Sequence, residues 1–361
     1  ASQLEKFNLC RFSYFCNYGL NVRERQKAEI NPMQYGTIVH YILERFFGEY
    51  TKEEYLSLEE DKFQKIVCAY LAEYAVKYFG EEQLESNSFT YRLKTILDNV
   101  MYLMKHIMEE LSQSEFFVAD CELKIGEDIP SYTIVLPDGH KIAVCGSVDR
   151  VDIMQRADIT YLRIIDYKTG TKQFKLSDIL YGINLQMLLY LHSIEASGGD
   201  KYGEIVPAGI LYMPATVPYI SSDSLKSIDK LPDELNKKLK MNGLLLKDTE
   251  IIHGMDKTDV ATYIPVKIKA GEPVSSTSLA TLAEFGKIFK KVDMLIAEMG
   301  KNIYNGNIEA KPLKGGHDSC EYCPYDSVCA YRQSNPITCF SVDNKTVIEE
   351  ITNEINGKEE E

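Results

Sequence analysis

The stretch from Val144 to Lys168 constrains this chain more than any other. It reads Val-Cys-Gly-Ser-Val-Asp149-Arg150-Val-Asp152 and, ten residues on, Leu162-Arg-Ile-Ile-Asp166-Tyr167-Lys168. Both segments have the apolar character and short period of strands, and side chains two apart on a strand share a face. Asp166 and Lys168 therefore point the same way out of the end of an apolar strand. Asp149 closes the preceding apolar strand, 17 residues earlier, which suits a hairpin partner or near neighbour. Two carboxylates make a hard oxygen site for Mg²⁺ or Mn²⁺. A lysine beside them can orient or deprotonate a metal-bound water and offset charge on a phosphate, the chemistry of phosphodiester hydrolysis. A surface ion pair at a strand end is the plain alternative.

Around this stretch the hydrophobic period changes once. Up to about residue 115 it is helical. A short helix is expected around Leu4–Phe7, followed by the aromatic run Phe12, Tyr14, Phe15 and Tyr18. Another helix begins near Gly36, with Val39, Leu43, Phe46 and Phe47 at helical spacing. Residues 53–113 read as two long helices broken near Gly80. From Phe116 the period shortens towards two. Phe117–Ile125, Tyr132–Leu136, Ile142–Ile153, Leu162–Tyr167 and Ala208–Tyr212 read as strands, with a Pro137-Asp138-Gly139 hairpin turn and a helix over Leu185–Ile194. Residues 220–264 are polar and Lys-rich. Leu282, Phe285, Phe289, Val292, Ile296 and Met299 mark a long amphipathic helix. The tail from Phe340 is acidic and is expected as a frayed helix or disordered.

These shifts divide the chain into a helical N-terminal segment (1–115), a core (116–219), an insertion (220–270), a C-terminal helix with a cysteine cluster (271–335) and an acidic tail (336–361). With 45% apolar and 26% charged residues the chain is an ordinary globular one, which excludes disorder as the main state. No apolar run reaches membrane-spanning length and no secretory signal opens the chain, so a cytoplasmic location without membrane contact is expected. The chain opens Ala-Ser-Gln without Met. That fits a piece of a longer polypeptide, or N-terminal processing.

Two helical pairs add to the acid–acid–lysine set. His40 lies one turn before Glu44 on a common helix face, where His40 can ligate the metal and Glu44 orient it. Gln186 and Tyr190, also four apart, put an amide and a phenol together on an otherwise apolar helix. In this order, His40, Asp149, Asp166-Tyr167-Lys168 and Gln186-x-x-x-Tyr190 resemble the RecB-type nucleases of the PD-(D/E)xK superfamily. The resemblance implies an α/β fold with a mixed central sheet flanked by helices. It also implies that His40, Asp149, Asp166 and the main chain at Tyr167 hold Mg²⁺ (or Mn²⁺), that Lys168 is catalytic, and that Gln186 and Tyr190 flank the DNA path. Val148 stands where the proline of the superfamily's name would be.

Nine cysteines, an odd number, argue against a disulfide framework. Cys320-x₂-Cys323-x₅-Cys329 can wrap one soft metal centre but supplies three ligands, and a cubane cluster or structural Zn²⁺ wants four. Cys10, Cys16 and Cys339 are the candidates for the fourth. Cys68, Cys121 and Cys145 lie in apolar periodic contexts and read as core residues. The segment Leu4-Glu-Lys-Phe-Asn-Leu-Cys10-Arg-Phe12 resembles the start of the nuclease domain in AddB subunits of bacterial AddAB helicase–nucleases, with Arg11 where that family usually has proline. Lys240-Met-Asn-Gly-Leu-Leu-Leu-Lys247 and Tyr263-Ile-Pro-Val-Lys267 resemble the same subunits. The resemblance covers about Ser2 to Tyr331. It implies a [4Fe–4S] cluster on Cys10, Cys320, Cys323 and Cys329, a staple joining the N- and C-terminal segments.

The function so implied is a metal-dependent exodeoxyribonuclease domain of an ATP-dependent helicase–nuclease. Such an enzyme processes double-strand breaks for recombinational repair. The domain would cut single-stranded DNA leaving a motor supplied by an AddA-type helicase subunit in a heterodimer. No Gly-x₄-Gly-Lys-[Ser/Thr] phosphate loop occurs in this chain. The alternatives are a CRISPR-type iron–sulfur exonuclease, a catalytically silent DNA-end-binding module with a structural cluster, and a zinc-stabilised interaction domain. A net charge of −14 argues against a broad DNA-coating surface and leaves room for a narrow local groove.

Overall fold

A computed structural model describes residues 2–23, 32–170, 173–218, 220, 231–275, 277–329, 331 and 336–359. The helical period of the first 115 residues becomes α1 (Ser2–Leu9), α2 (Arg11–Tyr14), a single π turn at Phe15–Gly19, α3 (Pro32–Glu49), α4 (Lys52–Leu56), α5 (Glu60–Phe79), α6 (Glu81–Leu84) and α7 (Asn87–Ser112). Thr51 and Glu54 form a reciprocal capping box that starts α4. α5 stops at Gly80, whose φ of 79° suits glycine. α3 turns Ile38, Val39, Ile42, Leu43 and Phe46 into the core, all essentially inaccessible.

The period-two segments form strands. β1 (Phe117–Ile125) is followed by the hairpin of β2 (Tyr132–Val135) and β3 (Lys141–Val144), which turns through Pro137-Asp138-Gly139. The segment expected as one strand from Ile142 to Ile153 divides at Cys145, so that β3 returns along β2 while β4 (Gly146–Arg156) enters the central sheet. β5 (Ile159–Lys168) pairs antiparallel with β4. α8 (Gln186–Ser197) and the short α9 (Gly199–Tyr202) then carry the chain to β6 (Glu204–Pro214), which lies parallel to β5. A parallel pair needs such a crossover. α8 buries Leu188, Leu189 and Leu191 completely.

Residues 220–270, expected as an insertion, contain part of the sheet itself. Beyond α10 (Leu231–Leu239), β7 (Asn242–Leu246) pairs with β6, burying Leu244 and Leu245. Residues 221–230 of that stretch lie outside the described residues. α11 (Thr249–Met255), the β8 (Lys267–Lys269) and β9 (Glu272–Val274) hairpin, and β10 (Leu279–Ala280) follow. The mixed central sheet has the order β1-β4-β5-β6-β7-β10. α12 (Leu282–Tyr304) begins with a Thr281–Glu284 capping box, and β11 (Leu313–Gly315) pairs with β12 (Ile337–Cys339). The acidic tail is a packed helix, α13 (Asn344–Glu359). It buries Val347 and Ile351, and its Glu354 accepts a hydrogen bond from Lys291 of α12. Its three apolar anchors at four-residue spacing (Val347, Ile351, Ile355) were hidden among the acids. Among the described residues no helix is long and apolar enough to cross a membrane.

Four charged side chains sit at zero exposure where α7 meets β4 and β5. Glu110 accepts hydrogen bonds from Arg150 (3.2 Å) and Arg163 (2.6 Å). Asp152 accepts from Arg150 at 2.9 Å and from Arg163 at 3.0 Å. Arg163 also lies 4.9 Å from the Phe116 ring centre. Two cations and two anions leave the group neutral, the condition under which buried charges persist. Removing one member strands a charge in a dry environment. Glu110→Ala is expected to destabilise the fold by about 3–5 kcal/mol in urea unfolding. The pair Glu110→Leu/Arg163→Met should cost less than Glu110→Ala, because the surviving Arg150–Asp152 pair is balanced. A Glu110→Ala loss below about 1 kcal/mol would show that the quartet does not hold the fold.

Candidate active site

Strand parity and register build this site. Asp152 and Arg163 are direct partners across β4 and β5, as are Arg150 and Ile165. The same register carried one pair further sets Asp149 against Asp166. On the other side of β4, Cys121 pairs with Arg150 and Leu123 with Val148, so Glu122 of β1 falls opposite Asp149. Glu122, Asp149 and Asp166 thus form a row of carboxylates across three adjacent strands. Asp149 does not close its strand, as expected from sequence, but lies near the start of β4.

His40 of α3 reaches into this row. Its Nδ1 is 2.9 Å from Glu122 Oε1 and its Nε2 is 3.7 Å from Asp149 Oδ2. The imidazole stands edge-on to the Tyr167 ring, 5.8 Å between centres. His40, Glu122 and Asp149 each offer a ligand atom, and these atoms lie within 4.8 Å of one another. The carboxylate that holds His40 is therefore Glu122; Glu44, one turn along α3, is exposed at the mouth of the same cleft. Glu122 also accepts a hydrogen bond from Ser147, and its φ of 51° is one a non-glycine residue rarely adopts. Sequence reading missed it because Asp120, Glu122 and Lys124 alternate like the polar face of any half-exposed strand.

Asp149 accepts the Tyr167 N–H at 2.9 Å. In a strand a residue's N–H and C=O lie on the same edge, so the Tyr167 carbonyl also faces the Asp149 side. The Tyr167 side chain points to the other face, where its hydroxyl accepts from Arg150 at 3.1 Å. Asp166 is buried and ion-paired with Lys168, the residue two along on the same face. Burial and the neighbouring Asp166 charge push Asp149 up to about 7, against the pull of His40 and the Tyr167 N–H. Burial pulls His40 down, but Glu122, Asp149 and Asp166 outweigh it, and the imidazole titrates above its ordinary value. Burial raises Glu122, while its bonds to His40 and Ser147 bring it below the usual range. A dense set of carboxylates sharing one imidazole is a cation site by its donor chemistry.

Gln186 opens α8, and its N–H donates to Glu5 of α1 at 3.0 Å. Its side chain bonds the Tyr190 hydroxyl, which burial and the Asp149 and Asp166 charges push up to about 12. That hydroxyl packs onto Gly146, where an added Cβ would come within 2.1 Å of it. The pair therefore abuts the carboxylates, beside a cleft of about 810 Å³ lined by His40, Glu122, Asp149 and Lys168.

A second cavity, of about 180 Å³, is lined by Cys10, Cys320, Cys323 and Cys329. Ser13 and Ser319 also line it, and their buried hydroxyls have no hydrogen-bond partner among the described residues. Cys16 and Cys339 are buried but do not line it. Burial raises the Cys10 thiol, and the Cys323 and Cys329 thiols add to the shift. The chain ends meet here: Tyr325 donates its hydroxyl to the Val22 carbonyl at 2.7 Å. Cys145, expected in the core, is exposed, and Cys68 and Cys121 are half-buried.

Comparison with known proteins agrees with this geometry. Curated relatives named as the AddB subunit of an ATP-dependent helicase/deoxyribonuclease include one from a Thermoanaerobacter strain, 35% identical over 92% of this chain and 30% of its own length. Others come from Alkaliphilus oremlandii (33% identical, 98% and 32%) and Clostridium kluyveri (34% identical, 100% and 32%). This chain spans about a third of the length of these relatives. Residues 1–330 match the model of the PD-(D/E)XK nuclease superfamily, and the chain belongs to that superfamily.

Proposed function

We propose that this chain is the nuclease portion of a helicase–nuclease subunit, hydrolysing DNA phosphodiester bonds with a divalent metal, Mg²⁺ or Mn²⁺. The observation that carries the reading is the carboxylate row Glu122–Asp149–Asp166, with His40 at one end and Lys168 at the other. Asp149, Asp166, His40 and the Tyr167 carbonyl are the proposed metal ligands. Glu122 orients His40 and fixes its tautomer by bonding Nδ1. When bound, the metal supplies a lowered water pKa and a counter-charge for the phosphate. Lys168 is proposed to leave Asp166 once the metal shares that carboxylate and to face the developing negative charge. Gln186 and Tyr190 are proposed to flank the DNA path. The relatives' name supports placement beside an AddA-type motor subunit, on single-stranded DNA produced by unwinding.

The four-thiol cavity fits a [4Fe–4S] cluster in its ligands, and its two unpartnered hydroxyls suit the cluster's sulfur acceptors. We propose a structural staple, binding the segment before the nuclease core to the segment after it. Closing so long a loop stabilises a fold by roughly 5 kcal/mol on the chain-entropy model. Its expected signature is a brown protein with about four irons per chain. Cys10→Ala should lose the iron, and Cys68→Ala should keep it. Zinc without iron or sulfide after anaerobic purification would overturn the assignment.

Catalysis is tested in the reconstituted complex, with the partner's own nuclease site inactivated. Asp166→Ala should abolish cleavage of labelled single-stranded DNA and leave the iron content unchanged. Lys168→Ala should slow cleavage by about two orders of magnitude, the usual loss on removing one donor to a developing charge. Wild-type rates in either variant would refute the assignment.

Metal affinity should depend on pH in one direction. Below about 7 Asp149 holds a proton that the metal must displace, so affinity weakens as pH falls. Calorimetric titration with Mn²⁺ is expected to show roughly tenfold weaker binding per pH unit between 7 and 5, with proton release. A flat profile would remove Asp149 from the ligand set.

A further inference from the structure

The cleft beside the carboxylate row has an aromatic wall that the metal chemistry does not use. Tyr41 of α3 and Tyr74 and Tyr78 of α5 line the same cleft as His40 and Asp149. They form a ladder, with ring centres 5.2 Å apart for Tyr41–Tyr74 and 4.4 Å for Tyr74–Tyr78. Tyr74 is buried behind the wall, while Tyr78 at its outer end is 55% exposed. An exposed tyrosine so stacked presents a ring face already fixed in direction, at little further cost in side-chain entropy.

The wall is also electropositive along its rim. The Lys77 ammonium lies 5.8 Å from the Tyr41 ring centre and 5.2 Å from that of Tyr78. Lys124 and Lys168 line the cleft further in. The acidic groups near the wall are largely committed. Glu73 accepts from the Tyr41 hydroxyl at 2.6 Å and pairs with Arg45 at 3.1 Å. Glu44 acts on Lys124 across the cleft. Rings that offer a π face beside cations, continuous with a phosphate-directed metal site, match an unpaired nucleotide: base on the ring, backbone on the lysines. Paired bases within a duplex have no free face to give.

We propose that Tyr78, braced by Tyr74 and Tyr41 and flanked by Lys77, is a base-stacking subsite for a nucleotide adjoining the scissile phosphodiester. It makes the cleft selective for single-stranded over duplex DNA. This rests on the nuclease reading above and adds the determinant of strand selectivity. Tyr78 is a positioning residue: it holds the substrate and takes no part in bond breaking.

The test uses this chain with Ca²⁺ in place of Mg²⁺, a fluorescein-labelled 15-nucleotide oligo(dT), and a 15-base-pair duplex, read by anisotropy. Cleavage with Mg²⁺ is measured separately. Tyr78→Ala should weaken oligo(dT) binding about tenfold or more, the usual effect of removing one stacked ring, and leave duplex binding unchanged. Tyr78→Phe should bind like wild type, because the ring face is kept. Lys77→Ala should weaken binding less and flatten its salt dependence. If wild type cleaves DNA but Tyr78→Ala binds oligo(dT) as tightly as wild type, the subsite is refuted and the nuclease reading stands. If wild type neither binds nor cleaves DNA, the nuclease reading falls and takes the subsite with it.

Discussion

The register between β4 and β5 is the constraint on which the rest of this structure depends. A slip of one residue would send every side chain of one strand to the opposite face. Here a slip would pull Asp152 away from Arg163 and leave buried charges without partners. The neutral quartet of Glu110, Arg150, Asp152 and Arg163 thus penalises wrong registers more strongly than an apolar core could, since apolar contacts re-form with new neighbours and stranded charges do not. The same register that satisfies the quartet sets Asp149 opposite Asp166. Strand alternation therefore divides β4 and β5 between two tasks. Arg150, Asp152 and Arg163 lock the pairing on one face, and Asp149, Asp166 and Lys168 use it on the other.

Such a carboxylate row is costly without a counter-charge. Asp149 is pushed to about 7 by burial and by Asp166, which places its titration where a bound cation has the greatest leverage. His40 and Lys168 offset part of the repulsion, one from each end of the row. The row is held apart from solvent by packing: Tyr190 closes against Gly146, and the Tyr167 ring backs His40. Rigid strands supply the carboxylates and helices α3 and α8 supply the groups that approach them, so spacing is set by the best-packed elements.

Local periodicity explains what was legible beforehand. Asp166 and Lys168 at i, i+2, and Gln186 and Tyr190 at i, i+4, declare a shared face wherever their element sits, and the structure brings both pairs to one site. The three clustered cysteines were equally local. Glu122 and the quartet were not legible, because their meaning lies in pairing between segments. Glu110 and Arg163 are 53 residues apart, and His40 and Glu122 are 82 apart. Each alone reads as an ordinary charged residue on a helix or strand. β7 was missed for a related reason: Gly243-Leu-Leu-Leu is short, and only its neighbour β6 turns it into a buried strand. Conversely, Glu44 had the right spacing from His40 and the wrong role, since a nearer partner came from β1.

The N-terminal segment links the two sites although they have no residue in common. Glu5 of α1 caps the first N–H of α8, where an anion is favoured by the helix dipole. Asn8 binds the Gly182 carbonyl just before that helix at 2.9 Å. Two residues further on, Cys10 enters the four-thiol cavity. α8 in turn carries Gln186 and Tyr190 to the carboxylates. Whatever fixes Cys10 against residues 320–329 therefore fixes Glu5, and through it the start of α8. A staple placed there does more than close a long loop: it holds in position the helix end that borders the cleft, so the geometry beside Asp149 depends on a bond network that begins at the far ends of the chain.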